Sequence, residues 1–166
     1  MNSTNESYDN RKFRMSKDVD LGEILLGIRL LQQSFDAFDE VAAARLALNR
    51  TDLRCLDIVL ATGPLPAGEL SAALKLSPAA TTTVIDRLER VSLVARTRDP
   101  GNRRRVLVEA TDEARAAEAE IFVPVGRAGA EALARYGPAE LAVIDDFLTT
   151  ARAVQQAQID RVRGLT

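Results

Sequence analysis

Residues 67–111 read AGELSAALKLSPAATTTVIDRLERVSLVARTRDPGNRRRVLVEAT, and the reading of this stretch decides the fold. Leu70, Ala73 and Leu74 fall on one face of a short helix over 67–74, and Lys75-Leu76 links it to the next element. Ser77-Pro78 opens a second helix: a serine oxygen accepts a first-turn N–H, and proline lacks only a donor that the first turn would leave unused. In that helix Val84, Ile85, Leu88 and Val91 face inward, leaving Ala79, Ala80, Thr82, Thr83, Asp86, Arg87 and Arg90 largely outward. Two short helices separated by about three residues predict a helix-turn-helix. Residues 93–98 are strand-like, Asp99-Pro100-Gly101-Asn102 is a turn, and 105–110 returns, which predicts a β-hairpin with an arginine-rich tip.

Upstream, Thr51 is the expected N-cap of a helix over 52–61 whose apolar face is Leu53, Leu56, Val59 and Leu60, stopped by Thr62-Gly63-Pro64. Before it, Leu21, Ile24, Ile28, Leu31, Phe35, Phe38 and Ala42 recur at steps of three and four, with Leu25 widening the stripe. A helix over 21–48 would exceed roughly 40 Å, more than a small domain buries alone, so a partner helix is expected. Downstream, Thr111 caps a helix carrying Ala114, Ala117 and Ile121, Pro124 is the expected kink, and a last helix runs from Pro138 to about Val162. These terminal helices are too thinly apolar for a core of their own and suit a dimer interface resembling a small bundle. The expected fold is mainly α with a small β-hairpin wing: a winged helix-turn-helix with long N- and C-terminal dimerisation helices. Residues 1–17 form a flexible polar and basic tail, 18–50 the N-terminal dimerisation helix, 51–111 the DNA-binding region and 112–166 the C-terminal dimerisation helices.

The composition excludes most chemistry. Among 166 residues there is no His, so neither a Ser-His-Asp nor a Cys-His nucleophile system is available, and the usual route to zinc is gone. Asp145 and Asp146 look like an ordinary solvated helix face, so an enzyme is not expected and no cofactor is called for. The single Cys55 allows no internal disulfide and reads as a buried structural thiol. The longest stretch free of charge, residues 58–68, contains two prolines and is too short for a membrane helix; with no apolar leader, a soluble cytoplasmic protein is expected.

The net charge of −2 taken whole argues against a polyanion partner, but its distribution points the other way. From Lys75 to Arg105 there are eight Lys or Arg against Asp86, Glu89 and Asp99, a net of +5, so the remainder carries −7. The positive segment coincides with the second helix and the hairpin tip, the elements of a winged helix that meet DNA. Candidate contacts to double-stranded DNA are Ser77, Pro78, Ala79, Ala80, Thr81, Thr82, Thr83, Arg87, Arg103 and Arg104. Small residues let the helix approach the major groove closely, threonine methyls can meet thymine methyls, and their hydroxyls can reach bases or phosphates. Arg87 could clamp a phosphate or reach a guanine, and Arg103 and Arg104 could enter a minor groove. Arg96, Arg98 and Arg105 lie on strands, where pairing with Asp99 or Glu109 competes with DNA. A winged-helix module that binds protein rather than DNA is the alternative reading.

The residues Asp86-Arg87-Leu88-Glu89-Arg90, Leu93-Val94-Ala95-Arg96, Asp99-Pro100 and Asn102 to Thr111 resemble the signature of the MarR family of bacterial transcriptional regulators. The resemblance implies a triangular homodimer held by its N- and C-terminal helices. Its two winged lobes read a pseudo-palindromic operator, an inverted repeat, and usually repress nearby genes. By motif, Arg87 matches the arginine of the recognition helix and Arg104 the wing arginine that enters the minor groove. The resemblance also implies release by a small aromatic or phenolic effector in a cleft between the dimerisation helices and the DNA-binding lobe, with Arg29 and Arg45 as conceivable anion partners. Two residues depart from the pattern: Asn102 stands where an acid usually steadies the wing arginine, and Ser92 where a glycine usually ends the recognition helix. Ser92 must then tolerate a left-handed backbone or cap the helix in another way.

Overall fold

Asp20, Asn49, Ser77 and Thr111 each turn a side-chain oxygen onto a backbone N–H two or three residues ahead, at 2.9–3.2 Å, and each starts a helix. The computed structural model describes residues 20–102 and 104–165, so the expected tail over 1–17, and Arg103, lie outside the described residues. The helices are α1 (Leu21–Arg45), α2 (Arg50–Thr62), α3 (Ala67–Leu74), α4 (Pro78–Arg90), α5 (Asp112–Ile121), α6 (Val123–Leu133) and α7 (Pro138–Arg163). The strands are β1 (Leu65–Pro66), β2 (Val94–Arg98) and β3 (Val106–Ala110).

The cap of α2 is Asn49, not the expected Thr51: its amide oxygen accepts from the Asp52 N–H at 2.9 Å, and the helix begins two residues sooner. The expected two-stranded hairpin is a three-stranded antiparallel sheet in the order β1-β3-β2, with Leu65 opposite Val108 and Arg96 opposite Val108 on its other side. A two-residue strand is too short to show alternation, and Pro66, which has no N–H to give, suits the edge it occupies. Val91, expected inward, is 37% exposed, and Leu93 takes the buried place at 5%. Pro124 marks the break expected of it, with Phe122 closing α5 and α6 starting at the next residue.

The main core gathers Cys55, Leu56 and Val59 of α2, Leu70 and Leu74 of α3, Val84, Ile85 and Leu88 of α4, and Val94, Val108 and Ala110 of the sheet. Cys55 is fully buried as expected, and that burial pushes its thiol up to about 11, far from the reactive range. A smaller cluster of Ala42, Ala43 and Leu53 joins α1 to α2, bordered by Phe38 and Phe122, whose rings meet edge to face at 5.8 Å. Beyond this junction the long helices lie bare. Ala42 and Ala43 are the only buried residues of α1, and α6 and α7 bury none. Among the described residues, no helix is long and apolar enough to cross a membrane.

Three helices end in the same way without glycine. Leu93 N–H donates to the Leu88 carbonyl and Ser92 N–H to that of Glu89, both at 2.9 Å, which is a Schellman turn with Ser92 at φ 60°. Lys75 (φ 57°) closes α3 and Ala47 (φ 55°) closes α1 with the equivalent pairs of bonds. That turn at Ala47 is why α1 stops at Arg45 rather than near residue 48. A non-glycine residue in this conformation costs roughly 1–2 kcal/mol, against about 0.5–1 kcal/mol of extra unfolded-chain entropy that glycine would bring. Ser92→Gly is therefore expected to raise stability by about 0.5–1 kcal/mol in urea unfolding at fixed protein concentration; a loss would show that the serine relieves the strain locally.

Candidate nucleic-acid interface

The recognition surface follows from the period of α4. Thr81, Val84, Ile85 and Leu88 share the buried face, which leaves Pro78, Ala79, Thr82 and Thr83 exposed and Ala80 half-buried, with Ser77 exposed at the cap. Thr81 is thus withdrawn from the expected DNA contacts. It is fully buried, its hydroxyl hydrogen-bonded to that of Ser71 at 2.9 Å and to the Ser77 carbonyl at 3.1 Å, where it joins α3 to α4. Thr82 and Thr83 face outward as expected, with hydroxyls donating to the carbonyls of Pro78 (3.0 Å) and Ala79 (3.1 Å).

Arg87 has a partner inside the protein. Its guanidinium donates from Nε to both carboxylate oxygens of Asp52, at 2.9 and 3.1 Å, and from a terminal nitrogen at 2.5 Å. The side chain of Asp52 is 3% exposed and that of Arg87 33%. The hydrogen bond to Asp52 pushes the guanidinium pKa still higher, so Arg87 stays charged. This bidentate bond fixes α4 against α2 and competes with the expected contact of Arg87 to a phosphate or guanine. Nothing in the local pattern flags Asp52, because its partner lies 35 residues away.

The wing is tied down by similar means. Arg96 on β2 bonds both Asp86 (2.7 Å) and Glu89 of α4, and Arg105 bonds Glu69 of α3 at 2.6 Å and approaches Asp99 at 3.8 Å. The expected Arg105–Asp99 pairing is present, whereas Arg96 reaches across to the recognition helix. Asn102 accepts from the Arg104 backbone N–H at 3.2 Å and so orders the chain at the wing arginine without adding charge. Arg104 is exposed; Arg103 falls outside the described residues. Among the described residues, Lys75, Arg90, Arg98 and Arg104 are exposed and take part in none of the ion pairs. Lys75, Arg90 and Arg98 are not among the contacts expected from sequence, although each falls within the +5 segment. Asp52→Ala is expected to lower stability by about 1–3 kcal/mol, because a buried acceptor pair is lost and Arg87 is only partly rehydrated. Urea unfolding measures it, and an unchanged midpoint would make the pair incidental.

A second feature sits where α1, α2 and α5 meet. A cavity of about 330 Å³ is lined by the apolar Phe38, Leu60, Ala61 and Phe122 together with the acidic Asp39, Asp57 and Glu118. A cavity of about 360 Å³ adjoins it at Asp39 and Asp57. Arg29 and Arg45, the conceivable anion partners, line neither, and Arg45 pairs with Glu120 at 3.2 Å. Asp57 is exposed at the rim of this cleft, yet partial desolvation there, with Asp39 and Glu118 nearby, pushes its carboxyl up to about 6. Above pH 6 the carboxylate is charged in both folded and unfolded chains, and the fold carries the full penalty. As pH falls from about 6 toward 3.8, the ordinary value, the folded form takes up its proton first and the penalty fades. Asp57→Asn should accordingly raise the melting temperature at pH 7.5, with a gain that shrinks between pH 6 and 4; a gain independent of pH would contradict the assignment.

Known proteins share the sequence pattern and the fold. The family model for the MarR family matches residues 48–106. YcgE of Bacillus subtilis (strain 168), described as an HTH-type transcriptional regulator, is 32% identical over 126 residues, which is 76% of this chain and 82% of that protein. A solved MarR family protein from Bacillus stearothermophilus has a TM-score of 0.62 at 23% identity, over 81% of this chain and 94% of that one. A MepR variant from S. aureus, solved bound to an oligodeoxyribonucleotide, has a TM-score of 0.55 at 14% identity, over 80% and 97%. The two structures share the fold, while the identity and coverage of YcgE reach further: the chain belongs to the MarR family of winged helix-turn-helix transcriptional regulators.

Proposed function

We propose that the protein works as a homodimeric, cytoplasmic repressor that binds a pseudo-palindromic operator through α4 and the wing and is released by a small effector. The observation that carries the reading is the bareness of the terminal helices. Among the described residues, all the large exposed apolar residues except Val91 and Val106 lie on α1, α6, α7 or just after it, among them Ile24, Leu31, Phe35, Phe147 and Leu148. Helices of this length without burial are not stable alone in water, and a second copy offers the matching faces. Two-fold pairing would set two α4 helices against successive major grooves, half-sites about 10 bp apart. Ser77 and Pro78 to Ala80, Thr82 and Thr83 supply the groove face; Lys75, Arg90, Arg98, Arg103 and Arg104 supply charge for phosphates and the minor groove. Arg87 acts by holding α4 in place, and Thr81 by joining the two helices of the motif.

The cleft at the junction of α1, α2 and α5 fits the effector. Phe38 and Phe122 offer an aromatic wall, and the volume is within the range of small-molecule sites. Asp39, Asp57 and Glu118 would repel a carboxylate, so the small aromatic or phenolic effector is uncharged rather than an aromatic acid. Light scattering should give twice the chain mass of 18.0 kDa. Gel-shift titration against the gene's own upstream DNA should show a complex that weakens steeply with salt. Arg104→Ala should cost about tenfold in affinity with helix content unchanged. An intact dimer without sequence preference at moderate salt would overturn the reading in favour of a protein-binding module.

A further inference from the structure

Beyond the Ser77 hydroxyl at its cap, which accepts from the Ala80 N–H, the outer face of the first turns of α4 presents no free side-chain hydrogen-bond donor. Pro78 has no N–H, Ala79 and Ala80 have no polar side-chain atom, and the hydroxyls of Thr82 and Thr83 both donate back to the helix, at 3.0 and 3.1 Å. With each hydroxyl turned onto the carbonyl four residues earlier, the γ-methyl is the group left for a neighbour. The two residues that could restore polar readout from this helix are engaged elsewhere, Arg87 by Asp52 and Asp86 by Arg96. Arg90, the exposed cation of α4, stands in its last turn, roughly 18 Å along the axis from Pro78, beyond the base pairs that the first turns can meet.

From this we infer that α4 reads its half-site through thymine C5-methyl groups, with Ala79, Thr82 and Thr83 as the specificity-determining residues. The inference rests on the operator binding proposed above and deepens it. Thymine is the base that presents a methyl group in the major groove, and a close surface of alanine and threonine methyls excludes water around it. Guanine offers two acceptors there, and pressing them against Ala79, Thr82 and Thr83, which present no free side-chain donor, would leave both desolvated and unmatched. Charge contacts from Lys75, Arg98 and Arg104 would then hold the helix in the groove while methyl contacts choose the sequence.

The test uses the full-length protein. Duplexes enriched from a random pool are compared with the same duplexes carrying deoxyuridine for thymine in the half-sites, a change that removes the methyl and keeps base pairing. Fluorescence anisotropy should show about threefold to fourfold weaker binding per contacted methyl, and roughly tenfold or more with both half-sites changed. Thr82→Val with Thr83→Val keeps the methyls and removes the hydroxyls, so affinity and the deoxyuridine penalty should both persist. Thr82→Ser with Thr83→Ser does the reverse, and should weaken binding to the thymine duplex and shrink the penalty to the part that Ala79 supplies, with helix content by circular dichroism unchanged. Equal binding of thymine and deoxyuridine duplexes overturns the inference and leaves operator binding standing, as does a valine pair that binds as poorly as the serine pair. Failure to enrich any duplex overturns operator binding, and the inference with it.

Discussion

A carboxylate with almost no exposure, Asp52, governs how the reading head is assembled. An ionised group taken out of water at that position is tolerated only if its lone pairs are met, and Arg87 meets both oxygens from one planar fork. Because Asp52 lies in the first turn of α2 and Arg87 in the last of α4, the pair sets the rotation of the recognition helix about its own axis. Apolar packing of Val84, Ile85 and Leu88 brings the helices together but is indifferent to small rotations. Directional hydrogen bonds are not. No buried side-chain polar atom among the described residues lacks a partner, so this arrangement carries no unpaired alternative.

The same logic sorts the arginines. Arg87, Arg96 and Arg105 are committed to Asp52, to Asp86 with Glu89, and to Glu69 with Asp99. Apart from the Arg105–Asp99 contact, which lies within the wing, each of these bonds links two elements: α4 to α2, β2 to α4, and the wing to α3. The cations left exposed flank the groove-facing first turns of α4 rather than standing on them: Lys75 precedes the helix, Arg90 ends it, and Arg98 and Arg104 lie in the wing. A net +5 over residues 75–105 therefore overstates the charge available to phosphates, since three of its eight cations are occupied in holding the head rigid. Rigidity is itself useful for recognition, because a helix and wing that need no ordering on binding retain more of the contact energy as affinity.

Most of what depends on local order is legible in the sequence. Ser77-Pro78 marks the start of α4, residues 67–74 match α3, Pro138 opens α7, and Ser92 stands out as a strained helix end, because caps, prolines and helical period act within a few residues. What escapes is non-local. Thr81 looks like its neighbours Thr82 and Thr83, but its place over Ser71 buries it, and only the packing of α3 on α4 reveals that. Arg87 looks like a DNA ligand because its acceptor lies on another helix. The β1 edge is two residues long and has no pattern to read, and Asp39, Asp57 and Glu118 come from three helices.

Asp52 and Asp57 occupy one helix, and this gives the fold a physical route between its two ends. The cleft lined by Asp39, Asp57 and Glu118 bears on the same α2 that grips α4 through Asp52, and α2 also carries the core residues Cys55, Leu56 and Val59. A packed helix moves as a unit more readily than it bends. An occupant wedged between α1 and α5 would displace α2, and α4 and the wing would follow through bonds that do not stretch. In a dimer, where α1 and α7 are pinned by the second copy, that displacement changes the separation of the two recognition helices, and a mismatch of a few ångströms with a fixed half-site spacing is enough to lose one of the two grooves. On the proposed reading the buried ion pair would serve recognition twice: it would aim the helix, and it would couple that aim to the cleft.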